Sequence, residues 1–518
     1  MSPEYKFFTE EELQKATIVF EEPEMRKKAK NWVLEFGPEF VKRYRDAIEL
    51  GEYVDTLKIL LQKESEVEVI TRVDKYKILN KYVVINIKDL EVFVPLDLLD
   101  NLLKKYKRIE KILGKFVYLK LTSYKKGAMA IDFALVKQQV RETPFDLHKF
   151  IEGLGIQANE QTIRLYLPRI IGLVQVDGMI HVSQFTQPET GKSEFAIRME
   201  WIRNARYYNT IPTPASLIYD GSRMKLGAVY LSDVVFIDEF DKQEKLKESQ
   251  KDTISMLFSG LENGKWIREV RGAESLFGIK YTNFVFFGNV GGKAITSFTE
   301  LEYLQKYSPR DFFRELLSKH LETVEAFEQR IAIVDVYHDS PNIMRYLTYK
   351  YLSNAVLRGM LIDLEKKANE IYAELIAKRK PKNRYERHAL KVQSVLNAMG
   401  FDIGFEEAYK IVVDNDWSCL KQKSNTEVIE QSNSKEQQDK EQIELPRDVK
   451  EALEDLVKDI AQGKVKPEEL KNAVLGNERW DLTITDVKDG KIFMELHHRT
   501  LGVYRIKLNI ADGKIELW

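Results

Sequence analysis

The stretch Val234–Glu239 places the strongest constraint on how this chain can fold. Four consecutive apolar residues, Val234–Ile237, are typical of a strand that is buried on both faces in the middle of a parallel sheet. Asp238 and Glu239 follow directly, at the strand end where open α/β sheets bind their ligands. This arrangement suits phosphoryl chemistry on a nucleotide, with Asp238 holding Mg²⁺ and Glu239 polarising the attacking water. The alternative interpretation is a core strand that runs into an acidic turn.

A loop upstream of this stretch carries residue types that bind phosphate. The alternating segment Met179–Phe185 predicts a strand, and the loop after it contains Thr190, Gly191, Lys192 and Ser193 before a predicted helix. Strand, loop, Gly-Lys-Ser and helix is the order that a phosphate-binding loop requires. In that arrangement backbone N–H groups bind phosphate oxygens, Lys192 reaches the terminal phosphates of ATP, and Ser193 ligates Mg²⁺.

The spacing of the two patterns supports one nucleotide site, although the loop is altered. Asp238 lies about 45 residues after Ser193, and an intervening strand is predicted at Ala215–Tyr219. The full pattern has a glycine where this chain has Thr186, and Glu189 adds a negative charge to a loop that binds phosphates. We therefore expect the affinity for ATP, or its turnover, to be reduced.

Four polar residues further along the chain complete the expected site. Asn289 ends another apolar strand, so we expect it to orient the attacking water or contact the terminal phosphate; the alternative is a turn asparagine. Arg330 precedes a further apolar strand, where an arginine finger would be offered to the nucleotide of a neighbouring chain; the alternative is an ordinary arginine at a helix end. Arg384 and Arg387 open a late helix and are expected to contact the phosphates of the same chain.

Composition excludes several classes of protein. The 80 Lys and Arg residues balance 81 Asp and Glu residues, so no global charge points to nucleic acid or membrane, while a local basic surface remains compatible. The single cysteine, Cys419, excludes an intramolecular disulfide and a zinc ribbon, and the seven His residues show no metal-ligand spacing. No apolar run reaches the roughly 18 residues of a membrane span, and the acidic N-terminus is no signal peptide. We expect a soluble, cytoplasmic protein.

The chain is expected to be α/β overall, with several segments. Residues 65–140 predict three strands, a helix (Asp97–Leu113) and two strands, the order of an OB-like barrel and a frequent nucleic-acid platform. The alternative is a small barrel whose lysines are simply solvated. The expected segments are an N-terminal helical region 1–64, the OB-like β-barrel 65–140, an α/β ATPase core 141–340, a helical lid 341–420, a disordered linker 421–446 and a small α+β module 447–518.

Together these motifs resemble AAA+ ATPases of the pre-sensor-1 β-hairpin group, which includes the MCM helicases. The segment before Asp238, from Gly227, is similar to the MCM stretch that leads into its Walker B motif. The likeness is closer to the core of the Lon-protease-like BrxL family of BREX phage-defence systems, over about residues 60–400. The segments that carry it are Phe145–Met179, Ser259–Lys265, Phe286–Val290, Ala326–Ile331 and Arg384–Arg387.

The resemblance implies a P-loop core with a helical lid, ATP and Mg²⁺ as cofactors, and a homo-oligomeric ring, with six subunits as the expected number. It also implies DNA in the central channel, contacted by hairpin residues such as Lys265, Arg268 and Arg271. BrxL proteins continue into a Lon-like domain with a Ser/Lys dyad. Here the roughly 70 residues after the linker are too short for one and carry no Gly-rich serine motif, so we expect no protease activity.

The expected function is that of a ring-forming ATPase that hydrolyses ATP between subunits. It would act on DNA as a helicase, translocase or clamp, in phage defence or in a mobile element. One alternative is a nucleotide-gated DNA-binding scaffold with weak or no turnover, which the missing glycine at Thr186 favours. The other is a MoxR-like chaperone that acts on protein. Phosphate contacts would make DNA binding fall steeply with salt, and a chaperone would lack that property.

Overall fold

The computed structural model contains two compact units, Met1–Lys423 and Ser424–Trp518. The described residues are 6–73, 76–79, 81–99, 115–125, 127–137, 140–221, 225–240, 248–268, 276–290, 308–318, 324–420, 456, 458, 474–476, 480–488, 491–498, 502–509 and 515–517. Most of the predicted helix Asp97–Leu113, together with Arg271 and the predicted linker 421–446, lies outside them. None of the helices in these ranges is long and apolar enough to cross a membrane.

The first unit begins with a cluster of short helices. The first of these helices starts with a capping box. The Thr9 hydroxyl accepts from the N–H of Glu12, and the Glu12 carboxylate accepts from the N–H of Thr9. Trp32 is buried at their centre and packs against Phe116 and Trp201, with ring centroids 4.7 and 5.4 Å away. The helices are α1 (Glu10–Thr17), α2 (Pro23–Phe36), α3 (Pro38–Arg43), α4 (Arg45–Glu52) and α5 (Val54–Lys63).

A six-stranded sheet follows the helices. Val67 and Val69 are buried while Glu68 between them is exposed, which is the alternation of a sheet with one apolar face. A strand that was not predicted, Tyr76–Leu79, pairs with Tyr82–Ile87 as a hairpin, so four strands precede the region of the predicted helix. The spatial order is β2 (Val67–Arg72), β6 (Phe116–Tyr124), β7 (Gly127–Val136), β5 (Leu90–Pro95), β4 (Tyr82–Ile87) and β3 (Tyr76–Leu79), antiparallel except between β5 and β7.

The centre of the first unit is a five-stranded parallel sheet. In spatial order its strands are β16 (Ile333–Tyr337), β8 (Val182–Thr186), β15 (Asn283–Asn289), β12 (Val234–Ile237) and β9 (Ala205–Tyr208). The fourfold apolar run is therefore a buried interior strand, as predicted. The strand that pairs with it is Ala205–Tyr208; the strand predicted at Ala215–Tyr219 is mostly a short helix, Pro214–Leu217.

Helices cover both faces of this sheet because successive side chains of each strand point to opposite faces. Val234 and Phe236 belong to one apolar cluster, and Val235 and Ile237 to another. The first face is covered by α6 (Leu147–Gly153), α7 (Glu160–Ile171) and α8 (Lys192–Ile202) with the late helices α14 (Asn354–Lys378), α15 (Arg384–Ala398) and α16 (Phe405–Asp414). The second face is covered by α9 (Pro214–Leu217), α10 (Ala228–Leu231), α11 (Glu248–Asn263), α12 (Pro309–Ser318) and α13 (Val324–Glu328).

The first unit also contains three two-stranded antiparallel sheets among its described residues. After α11 the chain forms an antiparallel hairpin of β13 (Lys265–Arg268) and β14 (Leu276–Ile279). Two further antiparallel pairs join β1 (Phe8–Thr9) to β17 (Lys350–Tyr351), and β10 (Tyr219–Asp220) to β11 (Lys225–Leu226).

In the second unit the described residues form a five-stranded antiparallel meander, with the strands in sequence order. Ile484, Ile492, Met494 and Leu508 are buried within it. The strands are β18 (Val474–Gly476), β19 (Trp480–Lys488), β20 (Lys491–His498), β21 (Gly502–Asn509) and β22 (Ile515–Leu517).

Candidate functional site

The loop between β8 and α8 lies at the carboxyl edge of the parallel sheet. Gly191 has φ +70°, a left-handed conformation that glycine adopts without steric penalty, and α8 starts at the next residue, Lys192. Glu189 also has a positive φ of +62°, and its backbone carbonyl accepts from the N–H of Ile343, 3.0 Å away. The Glu189 carboxylate is exposed and accepts a 2.6 Å hydrogen bond from Asn342. Asn342 therefore binds the Glu189 carboxylate, whose negative charge was expected to oppose phosphate binding by the loop.

Thr186, which replaces the glycine of the full pattern, is the last residue of β8 and is fully buried. Its hydroxyl lies 2.8 Å from the hydroxyl of Thr190, across the loop. It also accepts a 3.0 Å hydrogen bond from the Lys192 ammonium. A β-branched residue suits the end of a strand, and here its hydroxyl closes the loop from inside.

The Lys192 ammonium is almost entirely buried and joins the loop to β15. Besides Thr186, it donates to the carbonyl of Gln187 at 3.2 Å and to Oδ1 of Asn289 at 2.8 Å. An ammonium has three N–H donors, so these three acceptors satisfy it. The structure thus brings together Lys192 and Asn289, two predicted site residues that are 97 positions apart in the chain.

Asp238 is buried beside Ser193, and both residues are expected from the sequence to bind magnesium. The Ser193 hydroxyl donates to Oδ2 of Asp238 at 2.7 Å, and the Tyr207 hydroxyl donates to the same oxygen at 2.9 Å. Burial, reinforced by its hydrogen bond to Asp238, raises the pKa of Tyr207 above its usual value. Hydroxyl and carboxylate oxygens are the hard ligands that Mg²⁺ prefers, so this donor set fits the ion. Tyr207 was not predicted, because a tyrosine in a short strand carries no distinctive sequence pattern.

Glu239 occupies a strained position immediately after Asp238. Its φ is +49°, and a non-glycine residue in such a conformation is typically destabilised by about 1–3 kcal/mol. Backbone hydrogen bonds on both sides impose this turn, from Asp238 N–H to the Tyr208 carbonyl and from Phe240 N–H to the Phe287 carbonyl, each 2.8 Å long. Strain of this kind is common at functional sites, and the turn places Glu239 directly after β12, at the carboxyl edge of the sheet.

Beneath the loop lies a fully buried arginine, Arg169, that sequence reasoning did not single out. Its guanidinium donates to the Thr190 carbonyl at 3.0 Å and to Oε1 of Gln184 at 2.7 Å. Burial lowers the pKa of Arg169 to about 10, so it carries a positive charge at neutral pH. The sequence did contain a signal for Arg169, because it is a charged residue within the otherwise apolar end of α7. A buried arginine must be paired with hydrogen-bond acceptors, so its position indicates a buried polar cluster.

The remaining predicted arginines lie at the opposite edge of the sheet. Arg330 precedes β16, and with Arg384 and Arg387 it borders a cavity of about 240 Å³ that also includes His181, directly before β8. Strand β8 has five residues, so its two ends are about 15 Å apart at roughly 3.3 Å per residue. The structure therefore does not bring Arg384 and Arg387 to the predicted phosphate loop of the same chain, because α15 begins at the amino edge of the sheet.

The hairpin β13–β14 carries Lys265 and Arg268, which were expected to contact DNA, on different faces. Lys265 is exposed, but the Arg268 guanidinium turns inward and donates to the carbonyl of Tyr219. Ile267, Phe277 and Ile279 are the exposed neighbours of Lys265 on the outer face, with Phe277 61% exposed. The described part of the hairpin therefore offers an apolar surface with a single lysine.

Comparisons with known proteins place these observations among similar chains. No family model matches the sequence. The chain is 28% identical over 214 residues to "Uncharacterized protein ORF425" of Acidianus filamentous virus 2, a match that covers 41% of this chain and 48% of that protein. It is 26% identical to "Uncharacterized protein ORF426" of Acidianus filamentous virus 1 (54% of this chain, 66% of that protein). It is 25% identical to "Uncharacterized protein 440" of Sulfolobus islandicus rod-shaped virus 1 (46% of this chain, 53% of that protein).

The chain thus spans between about half and two thirds of the length of these curated relatives. Among solved structures, it is similar to a full-length MCM homolog from Methanopyrus kandleri, with a TM-score of 0.35 and 12% identity. That match covers 67% of this chain and 76% of the other. These likenesses leave the functional assignment to the geometry of the site.

Proposed function

We propose that this chain is an ATPase of the AAA+ type that hydrolyses ATP at the carboxyl edge of its parallel sheet. One observation carries the proposal: two hydrogen bonds join the start of α8 to the ends of two strands of the sheet. Lys192 donates to Asn289, the last residue of β15, at 2.8 Å, and Ser193 donates to Asp238, directly after β12, at 2.7 Å. A loop, a helix N-terminus and an acidic strand end in this combination suit a nucleotide triphosphate.

Each residue has a role that follows from its chemistry. The loop N–H groups and the Lys192 ammonium bind the phosphates and neutralise their charge, and Lys192 exchanges its present acceptors for phosphate oxygens. Ser193 and Asp238 would hold Mg²⁺, which supplies further charge neutralisation when it is bound. Glu239 and Asn289 orient and polarise the attacking water. Because phosphoryl transfer needs little covalent assistance, positioning and charge account for the catalysis.

The proposed site is completed by a second copy of the chain, which makes a homo-oligomeric ring the proposed assembly. This step is supported by the position of Arg330, Arg384 and Arg387 at the edge opposite Lys192. In a head-to-tail ring the amino edge of one subunit faces the carboxyl edge of the next, so these arginines would reach the neighbouring nucleotide. The proposed substrate of the ring is DNA in its channel, with Lys265 as one phosphate contact.

A complementation assay tests the shared site. Lys192→Ala removes the phosphate contact and Arg330→Ala removes the donated arginine, so each variant alone is expected to lose ATP hydrolysis. Mixed together, they form some interfaces that combine an intact loop with an intact Arg330, and hydrolysis is expected to return. Wild type that hydrolyses no ATP would refute the ATPase. If wild type is active but the mixture stays inactive, the shared site is wrong while the ATPase stands.

The nucleotide-gated scaffold is a second candidate because of one observation. The Lys192 ammonium is already satisfied by three protein acceptors, one of which is the hydroxyl that replaces a glycine. ATP must displace these contacts, which favours slow turnover. A measurement of steady-state hydrolysis with and without DNA distinguishes the two, since a motor is expected to be stimulated and a scaffold is not.

A further inference from the structure

The contacts of Arg330 within its own chain point to a restraint on the arginine. Its guanidinium donates to Oε2 of Glu262 at 2.6 Å and to the backbone carbonyl of Ala326. It also lies over the ring of Phe258, 5.4 Å from the centroid. Only 13% of its side chain is exposed, so the arginine is folded onto its own subunit and does not project from it.

The same carboxylate restrains a second arginine. Oε1 of Glu262 accepts from Arg384, whose guanidinium also donates to Gln329 at 3.2 Å. Glu262 therefore bridges one arginine from the segment before β16 and one from the first turn of α15. A phosphate would be bound by the same guanidinium N–H donors that now bind the Glu262 carboxylate. Glu262 therefore competes with any phosphate for both arginines.

Glu262 also stands at the base of the hairpin. It lies in the last turn of α11, and Gly264, with φ +68°, links that helix to β13. Trp266 is fully buried and packs so closely on Gly260 that a methyl group there would lie 2.0 Å from its ring. The Trp266 indole N–H donates to the Lys280 carbonyl at 2.9 Å. Trp266 thus packs the first strand of the hairpin against the last turns of α11, where Glu262 lies, and this contact is the physical link between the hairpin and Glu262.

We propose that Glu262 is a positioning residue that holds Arg330 and Arg384 on their own subunit and releases them when the hairpin moves. This inference rests on the proposed function, in which those arginines serve the neighbouring site. In the restrained state the arginines are turned towards Glu262, and hydrolysis is slow. A partner drawn along the hairpin would pull the carboxylate away, which would couple occupancy of the hairpin to hydrolysis.

The decisive test measures the accessibility of the arginines and does not require ATP hydrolysis. Phenylglyoxal labels accessible guanidinium groups, and mass spectrometry of the digested protein gives the labelling rate of Arg330 and Arg384 separately. In Glu262→Gln, labelling of both is expected to be several-fold faster than in wild type. The matched control is Glu365→Gln, which removes a carboxylate that pairs with Arg203 and touches neither arginine. Equal rates in wild type and Glu262→Gln would overturn the inference.

Hydrolysis supplies a second readout that a purely structural role would not move. Glu262→Gln is expected to raise kcat several-fold and leave KM for ATP unchanged, because the phosphate loop lies at the other edge of the sheet. Glu262→Asp keeps the charge but is one carbon too short to bridge both arginines, and should fall between wild type and Glu262→Gln. A lowered kcat in Glu262→Gln, at an unchanged unfolding temperature, contradicts a restraint. A wild-type protein that hydrolyses no ATP would count against the proposed function. The labelling rates of Arg330 and Arg384 would still decide whether Glu262 restrains them.

Discussion

At the scale of single residues, Thr186 links the two sides of the loop between β8 and α8. Its hydroxyl accepts from Lys192 and lies 2.8 Å from that of Thr190, so the loop is internally satisfied before any phosphate arrives. Arg169 supports the same loop from below through the Thr190 carbonyl. The altered loop therefore keeps its shape through buried side chains.

Removal of the Thr186 hydroxyl is expected to strengthen ATP binding. Thr186→Ala deletes one of the three acceptors that compete with phosphate for Lys192, and a hydrogen bond to a charged group contributes about 1.5–3 kcal/mol, or roughly tenfold or more in affinity. Isothermal titration with a non-hydrolysable ATP analogue measures the change. Thr186→Ser keeps the hydroxyl and should bind like wild type. An alanine variant that binds more weakly than the serine variant would show that the hydroxyl helps the nucleotide.

Two buried histidines are expected to make the first unit sensitive to acid. Burial lowers the pKa of His181 and of His388 to about 3, from an ordinary 6.5. Lys391 lowers both values further, and Arg310 lowers that of His388. Both are neutral, and each has a 2.9–3.0 Å contact between its Nε2 and a backbone carbonyl, Leu261 for His181 and Gln329 for His388.

The sign follows from proton uptake on unfolding. In the unfolded chain the two histidines bind protons below about pH 6.5, whereas in the folded chain they do not until about pH 3. The stability that the neutral histidines contribute is therefore fully present above pH 6.5 and is lost as the pH falls. Between pH 7 and pH 5 each histidine should remove about 2 kcal/mol from the free energy of unfolding. Urea unfolding at the two pH values measures this loss, which should be smaller in His181→Gln. An identical loss in that variant contradicts the assignment.

At the scale of elements, the hairpin β13–β14 places two of the residues expected to contact DNA, Lys265 and Arg268, on different faces. Lys265 is exposed, whereas Arg268 is engaged by the carbonyl of Tyr219, and Ile267 and Phe277 occupy the outer face. The alternation of strand residues accounts for the difference: Lys265 and Ile267 share one face, and Trp266 and Arg268 share the buried one. Spacing alone did not show which face is outward.

DNA binding by the hairpin should therefore depend on Lys265 and not on Arg268. Each lost phosphate contact reduces the slope of log affinity against log salt by about 1. Lys265→Ala is expected to reduce that slope, while Arg268→Ala leaves it unchanged and lowers thermal stability through its lost contact with Tyr219. Fluorescence anisotropy with labelled DNA over a range of salt measures both. A reduced slope in Arg268→Ala alone would reverse the assignment.

Some elements could be predicted from the sequence because one local pattern determines them. The run Val234–Ile237 is apolar on both faces, so it had to be an interior strand, and the polar residues that follow it lie at one edge. The strand Ala205–Tyr208 was missed because it has only four residues, three of them half-buried. The segment predicted in its place begins as a helix, because Pro214 follows Thr213, whose side chain caps it. The position of Arg384 could not be predicted from the sequence, because its partners Gln329 and Glu262 are brought to it only by tertiary packing.

At the scale of the whole molecule, the two edges of one sheet carry two halves of the proposed site. Lys192, Asp238 and Asn289 lie at the carboxyl edge, and Arg330 with Arg384 lies at the amino edge. A single chain cannot bring these groups together, because the length of the strands separates them. Hydrolysis is therefore expected to depend on assembly, so activity per chain should rise with protein concentration.

The most direct test of the nucleotide site is the retention of ATP by Glu239→Gln. The variant keeps Lys192, Ser193 and Asp238 but loses the carboxylate that we propose to polarise the attacking water. After incubation with radiolabelled ATP and Mg²⁺ and rapid gel filtration, wild type is expected to carry ADP, Glu239→Gln to carry uncleaved ATP, and Lys192→Ala to carry no nucleotide. Wild type and Glu239→Gln that turn over ATP equally, or a wild type that binds no nucleotide, would contradict the account.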